Sequence, residues 1–103
     1  MMLINIAKDY TRYPSGRYRK NGRTSGEQFR QDFLETPIKN GESIEIDFDG
    51  TIGYGSSFLE EAFGGLVRAT KIPGKEILKR LQFKSSDPSL IEEVKVYIME
   101  ARF

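Results

Sequence analysis

Two groups of residues in this 103-residue chain have types and spacings suited to recognising an anion, and a third pairs carboxylates. Arg12, Arg17, Arg19 and Arg23 interleave with Tyr10, Tyr13 and Tyr18. Guanidinium groups grip phosphate through paired hydrogen bonds, and tyrosine rings offer stacking surface to a base. Ser56 and Ser57 stand side by side behind Gly53-Tyr54-Gly55, ahead of a strongly apolar helical pattern. The start of a helix exposes amides and a positive dipole end, so a phosphate on Ser56 or bound beside it would be favoured there. Flanking glycines let the backbone approach a partner closely or take positive φ. Asp47 and Asp49 form the carboxylate pair, followed by Gly50-Thr51.

The absent residue types exclude as much as the present ones suggest. There is no histidine and no cysteine. A Cys/His zinc site, a Ser-His-Asp triad, a thiol nucleophile and a disulfide framework are therefore ruled out. A cysteine-free chain fits a reducing compartment. No apolar run approaches the ~20 residues of a membrane helix. The opening MMLINIAKDY lacks the charged and long apolar regions of a signal peptide. A single cytoplasmic domain over residues 1–103 is expected, and Leu, Ile, Val and Phe number 27, enough for one modest core. The formal net charge is +1, yet residues 8–23 carry +5 and the remainder −4. Any anion binding should therefore be local, and nucleic acid is not an expected partner.

The elements that must position these groups can be read from periodicity. Leu3–Ala7 reads as a short strand, and residues 8–24, rich in Pro and Gly, as a long basic loop. Ser25-x-x-Gln28 has the form of a capping box, so a helix starts near Gly26 with Phe29, Phe33 and Leu34 as its stripe. Pro37 kinks or ends that helix, and Asn40-Gly41 stops it. Ser43–Phe48 alternates, with Ile44, Ile46 and Phe48 on one face. A second helix buries Phe58, Leu59, Ala62, Phe63, Leu66 and Val67, with Ser57 and Glu60 as a second capping box. Gly64-Gly65 interrupts it at ~1 kcal/mol each. Gly64 is assigned to internal packing, whereas Gly65 fits either packing or a partner's approach. A short helix over Lys75–Arg80 leads into a strand, Leu81–Lys84. Asp87 caps the last helix, with Pro88 in its first position. Strands alternating with helices imply an α/β fold, a small, mainly parallel sheet flanked by helices. In such a fold the basic loop and the Gly53–Ser57 turn both leave the carboxyl ends of strands, so the two converge on one electropositive face.

Residues 44–52, IEIDFDGTI, resemble the nucleophile motif of haloacid-dehalogenase-like phosphatases. That resemblance implies Asp47 as nucleophile and Asp49 as acid/base around magnesium. Such chemistry needs a further hydroxyl, a lysine and an acidic pair on a second strand end. Glu60-Glu61 and Glu92-Glu93 fall inside helices, so the simpler reading is a turn, with no metal and no catalytic residue.

Residues 46–70, IDFDGTIGYGSSFLEEAFGGLVRAT, also resemble the central strand and helix of STAS domains (sulphate transporter and anti-sigma-factor antagonist). Gly50 falls at the pattern's glycine, Ser56-Ser57 at its serine pair and Leu59 at its leucine. Gly55 replaces the expected aspartate and Phe58 the expected glycine. The whole chain is similar to a bacterial STAS-like family of unknown function. The similarity rests on Tyr13–Tyr18, Ser25-Gly26-Glu27 with Phe29-Arg30, the central segment, and the ending DPSLIEEV. The resemblance implies a non-enzymatic, cofactor-free signalling module that binds a protein partner, a histidine-kinase-like ATPase first among them. It also implies Ser56 as a phosphorylated switch. The partner face would combine Gly53, Tyr54, Gly55 and Ser57 with the exposed side of the next helix, Glu60, Glu61 and Arg68. The alternative is a nucleotide or other anionic ligand held by Arg12, Arg17, Arg19 and Arg23.

Overall fold

Alternation in residues 44–48 predicts a strand buried on one face, and that strand is the middle of the sheet. The computed structural model describes residues 1–103. Strand β1 (Met2–Asn5), β2 (Ile44–Asp47) and β3 (Leu81–Lys84) lie in the order β1-β2-β3, all parallel. The register places Met2, Ile44 and Leu81 in one row and Asn5, Asp47 and Lys84 in another. Side chains alternate across a pleated strand. Ile4, Ile44, Ile46 and Leu81 are accordingly buried in the core, while Leu3, Glu45, Gln82, Asn5, Asp47 and Lys84 share the opposite face and none of them is buried.

Five helices accompany the sheet: α1 (Ile6–Asp9), α2 (residues 26–39), α3 (residues 56–70), α4 (Gly74–Arg80) and α5 (Pro88–Glu100). Both α2 and α3 contain a π-helical stretch, Arg30–Leu34 and Glu60–Gly64. Such stretches are rare and insert a widened turn into an α-helix. Pro37 therefore does not end α2, which runs on to Lys39. A proline ring clashes with the carbonyl four residues before it, and the widened turn lies directly upstream of Pro37. The helix stops at Asn40 and Gly41, where φ is +78°.

Two further expectations need correction. The first strand ends at Asn5 rather than Ala7. The Asn5 Oδ1 accepts from the Lys8 N–H at 2.8 Å, and the Asn5 N–H donates to Asp9 Oδ2 at 2.8 Å, which nucleates α1. Ser57 does not cap α3: the helix begins at Ser56, Gly55 is the N-cap, and no side chain caps it. Ser25 and Asp87 do cap their helices, accepting from Gln28 N–H and Ser89 N–H, both at 3.1 Å.

The core is one cluster of 18 buried residues drawn from the sheet and all five helices. Phe29, Phe48, Phe58 and Phe63 form its aromatic centre. Tyr10 closes one end, 5.4 Å from Phe29 between ring centroids, with its hydroxyl donating to the Ser25 carbonyl at 2.9 Å. Gly26 is where α2 crosses α3: a Cβ there would collide with the Phe58 carbonyl oxygen. No helix is long and apolar enough to cross a membrane.

Candidate functional site

The chain leaves β2 at Asp47 and turns through residues 48–55 into α3. Asp47 Oδ1 accepts the Asp49 N–H at 2.9 Å, and Asp49 Oδ1 accepts both the N–H and the hydroxyl of Ser86, at 2.9 and 3.0 Å. The Asp49 carbonyl takes the Asn5 side-chain amide at 3.2 Å. Asp49 thus ties the ends of the three strands together through its carboxylate and its carbonyl, while Asp47 braces the turn.

Gly53 has φ +143°, a conformation that favours glycine. Tyr54 is a packing residue: its ring meets Phe48 at 5.5 Å and Phe58 at 6.1 Å, and its hydroxyl donates to the Phe48 carbonyl at 2.6 Å. Gly55 has ordinary extended geometry, and open space surrounds the position where a Cβ would stand. Ile52 is 72 % exposed, and Ser56 and Ser57 are exposed at the start of α3.

Residues Glu60, Glu61 and Arg68 do not form an open face. Glu61 is buried, and all three join an ion-pair network between α2, α3 and the basic loop. Arg30 Nη1 donates to Glu61 Oε2 at 2.6 Å and to the Glu61 carbonyl at 2.8 Å, while its Nε donates to Glu35 Oε2 at 2.8 Å. Arg68 binds Glu60 through both terminal nitrogens, at 2.8 and 3.1 Å. Arg17 reaches in from the loop to Glu60 Oε1 at 2.5 Å and Glu61 Oε1 at 3.4 Å. The Arg30 and Glu61 side chains are only 7 % and 10 % exposed. Burial opposes the charge on Arg30, but its hydrogen bonds to the Glu35 and Glu61 carboxylates more than offset this and raise its pKa. Hydrogen bonding from Arg68, and then from Arg17, holds the Glu60 carboxyl below its usual value.

Gly64 and Gly65 make room for this network. A Cβ on Gly64 would press on the Glu60 carboxylate, and one on Gly65 on the Arg30 guanidinium. Their neighbours are charged side chains, not the sheet.

The arginines of the loop divide in two. Arg17 is in the network, and Arg19 pairs with Asp32 at 2.8 Å and donates to Gln31 at 2.5 Å. Arg12 and Arg23 are exposed and unpaired. The loop does meet the turn, through the Ile52 N–H on the Arg12 carbonyl at 3.0 Å. Acids of α2 and α3 match Arg17 and Arg19, so of the four loop arginines only Arg12 and Arg23 are left for the expected electropositive face. A cavity of about 380 Å³ beside the turn carries Asp49, Asp87 and Glu93 and no lysine or arginine.

Residues that sequence reasoning missed are Arg30, Glu35 and Asp32. No spacing signals them, since Arg30 and Glu61 are 31 positions apart.

Three of the five tyrosines are held protonated. Burial pushes Tyr10 and Tyr54 up to about 12, and the hydrogen bond to Glu93 does the same for Tyr97. A group whose folded pKa is raised stabilises the fold fully below its unfolded pKa. That stability is lost as pH rises through the folded value. Tyrosinate absorbance should therefore show three residues titrating near pH 12, and stability should fall between pH 10 and about 12. Titration of all five near pH 10 in the folded protein would contradict these placements.

A three-stranded parallel sheet with helices packed on it, and a strand-to-helix turn ending in a serine pair, define a small α/β domain of STAS type. A family model described as a STAS-like domain of unknown function matches residues 25–90, and the chain belongs to that family. No curated protein and no solved structure matches it.

Proposed function

We propose that the chain is a non-enzymatic, regulatory protein-interaction module whose partner face is the turn Ile52–Ser57. One observation carries this reading. Tyr54 packs inward, but the outward groups of the turn are uncommitted: the Ile52 side chain is bare, Gly55 is required neither by its backbone angle nor by packing, and the Ser56 and Ser57 hydroxyls cap nothing. Asp47 and Asp49 are engaged by the turn itself, which favours binding over catalysis. The resemblance to anti-sigma-factor antagonists makes a histidine-kinase-like ATPase the first partner to test and Ser56 the residue a kinase would modify. Ser56 opens α3, where a phosphate would meet free amides. The alternative, an anionic ligand on the basic loop, now rests on Arg12 and Arg23.

The test uses the purified chain and such an ATPase from the same cell, by titration calorimetry. Ile52→Asp and Ser56→Asp should each weaken binding about tenfold or more, the size of one lost contact of ~1.4 kcal/mol, with the fold unchanged by circular dichroism. Mass spectrometry after incubation with ATP should place phosphate on Ser56, and Ser56→Ala should take up none. Wild-type affinity in both charged variants would overturn the reading.

A further inference from the structure

We infer that the free edge of β3 accepts an added strand, an extended segment of a partner protein with alternating apolar and acidic side chains. The surface has a lining distinct from the Ile52–Ser57 turn, and the inference does not depend on that turn.

The sheet has two edges, β1 and β3. The β1 edge is closed at its carboxyl end, where the Asp9 carboxylate occupies the outward Asn5 N–H and the chain turns into α1. The β3 edge has no such block. The Lys84 carbonyl points inward and accepts the Phe48 N–H at 2.9 Å. Backbone groups alternate in direction along a strand, so the N–H and carbonyl of Phe83 point outward. No turn, loop or side-chain hydrogen bond of the chain reaches them. An edge of this kind is a template for a further strand.

Recognition of side chains is provided alongside. A groove of about 540 Å³ runs beside β3, walled by Leu78 of α4, Leu81 and Phe83 of β3, and Ile91 of α5. Leu78, Phe83 and Ile91 are half-buried with nothing from the chain above them. A strand paired to β3 would direct every second side chain into this groove, which calls for apolar residues at alternate positions.

Charge selects the rest. Lys84, at the end of β3, is exposed on the sheet face opposite the groove, and Lys95 lines the groove itself. Glu76 and Glu92 lie 3.2 and 4.0 Å from Lys79 and Lys95, while Lys84 has no partner. Acidic side chains between the apolar ones would fall on the opposite face, beside the unpaired Lys84. A second copy of the chain would instead bring the lysines of two β3 edges to one seam, where like charges destabilise a cross-strand pairing.

The probe is a capped peptide, Glu-Val-Glu-Ile-Glu-Val-Glu, titrated into the isotope-labelled chain and followed by NMR. Saturable shifts are expected at the amides of residues 81–85 and the methyls of Leu78 and Ile91. The same peptide with lysine for glutamate should bind about tenfold more weakly or worse. Ile91→Glu should abolish binding, and Lys84→Glu, at an exposed position that leaves the core untouched, should weaken it about tenfold. The inference is overturned if those signals stay unshifted at millimolar peptide, or if the lysine peptide or the Lys84→Glu chain binds equally well. A dimer in sedimentation that Ile91→Glu dissolves would also overturn it, by making the occupant a second copy.

Discussion

Replacing Arg30 with alanine should destabilise the domain by ~3–5 kcal/mol, the loss expected when one partner of a buried ion pair is removed. The cause is what stays behind. Glu61 would lose its 2.6 Å guanidinium partner in a place where its side chain is only 10 % exposed, and Glu35 would lose its own. The Glu61 carbonyl would also lose a donor. Arg17 at 3.4 Å and Arg68 at 3.7 Å still pair with the other Glu61 oxygen, so the loss falls toward the lower end of that range. At 4–8 °C per kcal/mol for a domain of this size, Tm should fall by about 12–40 °C. The paired change Arg30→Met with Glu61→Leu should recover much of that loss, because it removes the buried charges together. Urea denaturation of the single and paired variants measures both. A loss under about 1 kcal/mol for Arg30→Ala would mean that the pair is effectively solvated.

Gly26→Ala should also destabilise, against the direction that helix propensity alone predicts. Alanine is favoured over glycine inside a helix by up to ~1 kcal/mol. Here the added Cβ would collide with the Phe58 carbonyl oxygen, and the Ala62 nitrogen would lie 3.1 Å away. Both atoms are backbone of α3, so no side chain can swing aside and the two helices must separate. Overpacking of that kind costs ~1–3 kcal/mol and sometimes more. The shift would pass into Phe29 and Phe58, whose rings lie 5.9 Å apart between the same helices. An unchanged or raised Tm would show that α2 and α3 can move apart freely.

What could be read from the sequence was local. The alternation of Ile44, Ile46 and Phe48 located the central strand, and Asp87-Pro88 located the start of α5. The capping pattern at Ser57 and Glu60 misled because the helix starts at Ser56, which puts Ser57 inside it and takes Glu60 out of the position that reaches back to the N-cap. The Glu60 carboxylate binds Arg68 and Arg17 instead, through charge-assisted bonds. The same pattern at Ser25 held in its first half, since Ser25 sits where the loop enters the helix and its hydroxyl meets the Gln28 N–H. The basic loop looked like an open patch of cations because its acids lie elsewhere in the chain. Asp32, Glu60 and Glu61 pair with Arg17 and Arg19 only after α2 and α3 have packed. The turn Gly53–Ser57 could be placed from sequence, but its exposure and that of Ile52 could not, for exposure depends on what the rest of the chain leaves uncovered.

The parallel order of the three strands has a kinetic consequence. Met2 pairs with Ile44 and Ile44 with Leu81, so each pairing closes a loop of about forty residues. No hairpin exists to form early from neighbouring residues. Closing such loops costs conformational entropy before any ladder bond forms, which places this domain among folders slower than helical bundles of equal length. Strand β2 is a partner in both pairings, so neither pair can form until it is in place.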